Sequence, residues 1–116
     1  NIPFYNKVKP YCGWKYSDED KYITPVLTID ELRRWASKFH NCSLGYADRV
    51  ENGRCVIFLV RLKIEPLVPY YMFEYNVQTG RIVQLEGVRH CNADDETKAF
   101  VDGFEEAYRG RRVEYA

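Results

Sequence analysis

The longest uninterrupted apolar run in the chain is CVIFLV, Cys55 to Val60. It is far shorter than the roughly 20 residues that a membrane-crossing helix needs, so no membrane span is expected. Branched and aromatic side chains dominate it, and with RLKI behind it the stretch reads as a central strand. EPLVP then breaks the chain twice, because proline cannot donate to a strand ladder. YYMFEYNV, residues 70–77, reads as a second strand and IVQLEGV, residues 82–88, as a third. QTGR between these two predicts a hairpin in which Gly80 takes a positive backbone angle. Strands joined by such short turns imply an antiparallel meander.

Helical signals flank the strands. In TIDELRRWASKF, Thr28 precedes Glu31 by the capping-box spacing, so a helix is expected to start there. Leu32, Trp35, Ala36 and Phe39 then recur by threes and fours as one buried stripe. YADRV, residues 46–50, predicts a short second helix that ends at the Asn52-Gly53 turn signal. Asn92 and the acids after it suit a helix N-terminus, and Phe100, Val101, Phe104, Ala107 and Tyr108 repeat at helical spacing over about four turns. Residues 1–26 mix aromatics with Pro3, Pro10, Gly13 and Pro25, and are expected to form an irregular N-terminal arm holding one short strand. The expected fold is α+β: a three-stranded antiparallel meander over residues 27–116, with two helices before it and one amphipathic helix after it, packed on one face.

Composition narrows function by exclusion. Seventeen basic and seventeen acidic side chains cancel, so net charge predicts neither non-specific nucleic-acid nor membrane attachment. The distribution is uneven, since residues 108–116 carry three arginines against one glutamate. The start at Asn1 shows no basic n-region and apolar h-region, so either a signal peptide has been removed or, as is expected here, the chain is a piece cut from a longer, cytoplasmic protein. Cys12, Cys42, Cys55 and Cys91 form no C-x-x-C pair and are expected to be reduced thiols.

Several constellations carry potential chemistry. His40, Cys42, His90 and Cys91 are zinc-type ligands, but their spacing is poor for one tetrahedral ion, and no metal or other cofactor is expected. Cys42, near a helix start, is the candidate nucleophile, with His40 or His90 as its base. Arg61, Glu74, Gln84 and Asn92, with Arg89 nearby, would line a polar pocket on one sheet face, or simply be the polar half of an exposed strand alternation. Arg33, Arg34, Lys38, Arg49 and Arg54 would edge a phosphate-tracking groove, or be a solvated helix face.

The segment LTIDELRRWASKFHNCSLGYADRVENGRCVIFLVRL, followed by MFEYNVQTGRIVQLEGVRHCNADDETKAFV, resembles PcfJ-like proteins of conjugative plasmids and phages. The matching positions are Asn41, Cys42, Tyr46, Gly53, Glu74, Gln84, Gly87 and Asn92. The resemblance covers roughly Leu27 to Tyr108 and implies a mobile-element setting, not a reaction. Two functions follow as expectations. One is a binding module for protein or nucleic acid, such as a phage-encoded inhibitor of host defence, using Asn41, Cys42, Tyr46, Arg49, Glu74, Gln84, Arg89 and Asn92. The other is an enzyme acting on a nucleotide or nucleic acid from a pocket of Cys42, Tyr46, Glu74, Gln84 and Asn92.

Overall fold

A computed structural model describes residues 2–38, 43–87 and 92–115, with the side chains of residues 43 and 44 left aside. Among these residues the chain forms four α-helices and one four-stranded antiparallel sheet. Helix α1 spans Ile2–Val8 and a 3-10 helix, Lys9–Gly13, follows it. Strand β1 is Lys21–Pro25, α2 is Ile29–Lys38 and α3 is Ser43–Glu51. Strands β2, Cys55–Leu62, β3, Glu65–Asn76, and β4, Arg81–Glu86, come next, and α4, Asp95–Tyr108, closes the order. The α+β class agrees with the sequence reading. No helix among the described residues is long and apolar enough to cross a membrane.

The strand count is corrected from three to four. β1 lies within the first 26 residues and pairs with β2, Ile23 opposite Val60, so the sheet order is β1-β2-β3-β4. Its five residues end at Pro25, at the edge of the sheet where a missing N–H costs least. The expected irregular arm also contains α1, whose Phe4 and Val8, four apart, are fully buried. Seven residues are too few to show a helical period, so α1 is held by what it packs against.

The EPLVP break is corrected too. β3 begins at Glu65 and runs across both prolines, with register shifts against β2 around Arg61. The prolines therefore sit at bulges, where a strand tolerates a residue without an N–H. The two predicted turn glycines behave as expected, Gly53 at φ 74° and Gly80 at φ 70°.

Local signals at the helix starts act through side-chain oxygens. Thr28 Oγ1 accepts the Glu31 N–H at 3.0 Å, as the predicted cap of α2 requires. For α4 the cap is Asp94, two residues after the expected Asn92: its Oδ1 accepts the Thr97 N–H at 2.7 Å. A carboxylate also complements the positive end of the helix, which an amide cannot do as strongly.

Helices cover both faces of the sheet, a further correction to the one-face expectation. Phe73 meets Phe104 of α4, ring centroids 5.7 Å apart, whereas its neighbour Glu74 meets Arg49 of α3 at 2.8 Å. Successive residues on a strand point to opposite faces, so α3 and α4 lie on opposite sides. The α4 side is aromatic: Phe58 packs on Phe73 and Phe104, and Trp14 stacks on Tyr108. Both sheet edges are partly covered. Tyr16 O accepts the β1 Ile23 N–H at 3.1 Å, Glu105 Oε2 accepts the β4 Ile82 N–H at 2.7 Å, and Glu86 bridges Asn92. Each such contact leaves fewer free edge groups for another strand to pair with.

Candidate functional site

Tyr46 and Arg49 lie three apart on α3 and so share one helix face. That face looks onto the side of the sheet that carries Glu74. Arg49 Nη2 donates to Glu74 Oε1 at 2.8 Å, and its guanidinium carbon lies 4.8 Å from the centre of the Tyr46 ring. The guanidinium is thus held between an aromatic face and a carboxylate. The Tyr46 hydroxyl donates to Gln84 Oε1 across to the edge strand.

Gln84 reaches that hydroxyl because β4 is bulged. Met72 pairs with Glu86 while Glu74 pairs with Val83, so Gln84 and Leu85 together stand opposite Phe73. In an unbroken strand Gln84 would share the α4 side with Ile82. Instead its φ is 55°, a left-handed backbone that glycine normally takes, and its side chain turns to α3. No other non-glycine residue among those described has a positive φ. Conformations of this cost persist where the surroundings over-determine them, here through the Tyr46 hydrogen bond.

Cys55 completes the cluster and was missed by the sequence reading. β2 pairs Ile57 with Glu74, so Cys55, two residues earlier, shares its face. Period-two counting back from Ile57 was the signal available. Burial, then the Glu74 charge, push the Cys55 thiol up to about 11, with Arg49 opposing them. Burial first and Glu74 second also raise the Tyr46 phenol. For Arg49, burial favours the neutral form, but Glu74 outweighs it and the guanidinium is held above its ordinary range. At neutral pH the cluster therefore holds a thiol, a phenol and a fixed ion pair. A protonated thiol is a poor nucleophile.

Five of the eight expected site residues are described. Tyr46, Arg49, Glu74 and Gln84 converge as above. Asn92 does not join them: it is exposed, bridges Glu86 and lines a cleft of about 250 Å³ on the α4 side with Ile82, Leu85 and Lys98. Arg61, expected near Glu74, instead bonds Thr24 Oγ1 at 3.0 Å and the Pro66 carbonyl at 2.9 Å. Asn41, Cys42 and Arg89 lie outside the described residues, as do His40, His90 and Cys91 of the zinc reading. Among the described residues no three His, Cys, Asp or Glu side chains are grouped to hold a metal. Of the residues of the expected phosphate-tracking edge, Arg49 is turned to Glu74, and Arg34 and Lys38 lie over Trp35, 5.9 and 5.7 Å from its ring.

The model of the family described as PcfJ-like protein matches residues 3–101. The chain belongs to the PcfJ-like family. No curated protein and no solved structure matches it. The PcfJ-like match opens at residue 3, so it takes in α1 and β1, which the resemblance from Leu27 onward left out. Of the positions on which that resemblance rested, Tyr46 and Gln84 bond to each other, Glu74 anchors Arg49, and Gly53 makes the turn into β2. The positions that carried the resemblance thus include both halves of one network, one on α3 and the other on the sheet.

Proposed function

We propose that this PcfJ-like domain is a protein-binding module that meets its partner through the exposed edge of α3 around Arg49, with Tyr46 buried behind it as the support. One observation carries the reading: Arg49 is fixed from two sides, by the Tyr46 ring and the Glu74 carboxylate, yet its side chain stays 40% exposed. Arginine is over-represented among the side chains that dominate protein interfaces. A side chain already held in place loses little freedom on contact, so more of its interaction energy survives as affinity. The protonated Cys55 and Tyr46 supply no activated group beside it, which favours binding over chemistry at this cluster. The mobile-element setting implied by the resemblance gives the partner a context, and a phage-encoded inhibitor acting on a subunit of a host defence complex is one concrete form.

A photo-crosslinking amino acid at Asp48, exposed on α3 beside Arg49, tests this in cells that express the chain. The expected result is one discrete protein adduct whose yield falls about tenfold or more in an Arg49→Ala background. A probe at Arg33, exposed on α2, should not form that adduct. An adduct of undiminished yield with Arg49→Ala would remove Arg49 from the interface and the proposal with it.

A further inference from the structure

The three arginines near the chain end gather in one place. Arg109, Arg111 and Arg112 line a cleft of about 580 Å³ with Tyr11, Tyr75 and Tyr115. A second cleft of about 480 Å³ is lined by Lys7, Lys9 and Pro10, and Tyr115 belongs to this one too. The shared tyrosine makes the two clefts one groove, running from the end of α4 to the junction of α1 with the 3-10 helix. Five cationic side chains line it against one acid, Glu114. Arg109 is neutralised, since its Nη2 lies 2.6 Å from Glu105 Oε1. Lys7, Lys9, Arg111 and Arg112 have no ion-pair partner among the described residues. In a chain of zero net charge this is a local field and not a general one.

The groove also presents planar groups. The Arg111 guanidinium is one of them, backed by the Tyr108 ring 5.5 Å away. Tyr115 is 50% exposed, with the Lys7 ammonium 5.0 Å from its ring centre.

We propose that this groove binds single-stranded nucleic acid, its cations tracking phosphates while Tyr115 and Arg111 offer flat faces to the bases. Cations combined with stacking rings are the recurring equipment of single-strand binding. A duplex keeps its bases inside and would leave the planar faces unused. An acidic peptide would use the cations alone. The site shares no lining residue with the Arg49, Tyr46 and Glu74 cluster and does not depend on the protein-binding proposal.

The test is fluorescence anisotropy of a labelled single-stranded DNA oligonucleotide of mixed sequence against the full chain. Four unpaired cations give a slope of log affinity on log salt of about −2.8, hence about 50-fold weaker binding at 200 mM than at 50 mM salt. Tyr115→Ala should weaken binding about tenfold, while Tyr115→Phe keeps it. The paired Arg111→Ala, Arg112→Ala variant should lower both the affinity and the salt slope, and its circular dichroism spectrum should match that of the parent. Arg33→Ala, Arg34→Ala, on α2 and outside the lining of both clefts, should change neither. No binding at 50 mM salt would overturn the proposal. So would displacement of the oligonucleotide by polyglutamate at equal charge concentration, which would mark an acidic-polymer site, or equal losses from the α2 variant.

Discussion

Arg49 and Glu74 share one ion pair, but removing either one should not have the same effect. Glu74 is buried, its side chain 10% exposed, whereas Arg49 is 40% exposed. Arg49→Ala strands a carboxylate away from water. Deleting one partner of a fully buried pair costs about 3–5 kcal/mol, and partial solvent access at Arg49 reduces this to about 2 kcal/mol. Loss of the guanidinium contact with the Tyr46 ring adds about 0.5 kcal/mol, for a total of about 2.5 kcal/mol. Glu74→Gln keeps the shape and an acceptor oxygen, and the remaining cation can turn to water, so it should cost only about 0.5–1 kcal/mol. The double variant strands no charge and should cost about 1.5–2 kcal/mol, less than the sum of the singles. Urea unfolding followed by tryptophan fluorescence reads these differences, since Trp14 is buried in the aromatic core. At about 4 °C per kcal/mol, the Arg49→Ala midpoint should fall about 10 °C and the Glu74→Gln midpoint about 3 °C. Equal losses from the two single variants, or strict additivity in the double, would refute the argument that Glu74 burial sets the asymmetry.

Gly103→Ala should destabilise α4, although alanine in a helix interior normally gains about 1 kcal/mol over glycine. The new Cβ would overlap the Tyr16 hydroxyl and lie 3.1 Å from its Cζ, while Phe100 and Phe104, with centroids 5.2 and 5.9 Å away, hold that ring. A net loss of about 1–2 kcal/mol in urea unfolding is expected, with recovery in the Tyr16→Phe background; failure of that rescue would place the clash elsewhere. Acid sensitivity should trace in part to Glu105: burial pushes its carboxyl up, but the Ile82 N–H and Arg109 outweigh this and hold it below its ordinary 4.5. Because the folded value is the lower one, Glu105 contributes stability that is present above pH 4.5 and lost as pH falls through the folded value. Glu105→Gln should therefore be less stable at neutral pH and should lose less stability on acidification than the parent; parallel pH profiles would count against this.

The chain announces some of this architecture and conceals the rest for physical reasons. Helix α2 was legible in Thr28, Glu31 and the stripe of Leu32 and Ala36, because caps and amphipathic stripes are local. Gly80 was legible because its turn needs a residue that accepts positive φ. Helix α1 was not, since Phe4 and Val8 become a helix face only when the core supplies their partner. Tyr46, Arg49, Glu74 and Gln84 could each be named from the sequence, but their pairing is set by the register of β3 against β4 and by one bulge. Nothing in the alternation IVQLE marks Gln84 for a left-handed backbone. Cys55 was overlooked because its neighbours in sequence are core residues and its neighbours in space come from α3 and β3.

The bulge at Gln84 also separates two things that protein sequences usually entangle. Val83 and Glu86 are both in register with β3, and two residues fill a gap that one would span. Deleting Gln84 would leave Leu85 opposite Phe73 and every other pairing as it is. The ladder would close up without it, and only the Tyr46 acceptor would be lost. The position is therefore spare to the sheet and committed to the α3 face. Loss or exchange of this one residue would therefore alter what stands behind α3 while leaving the scaffold as it is.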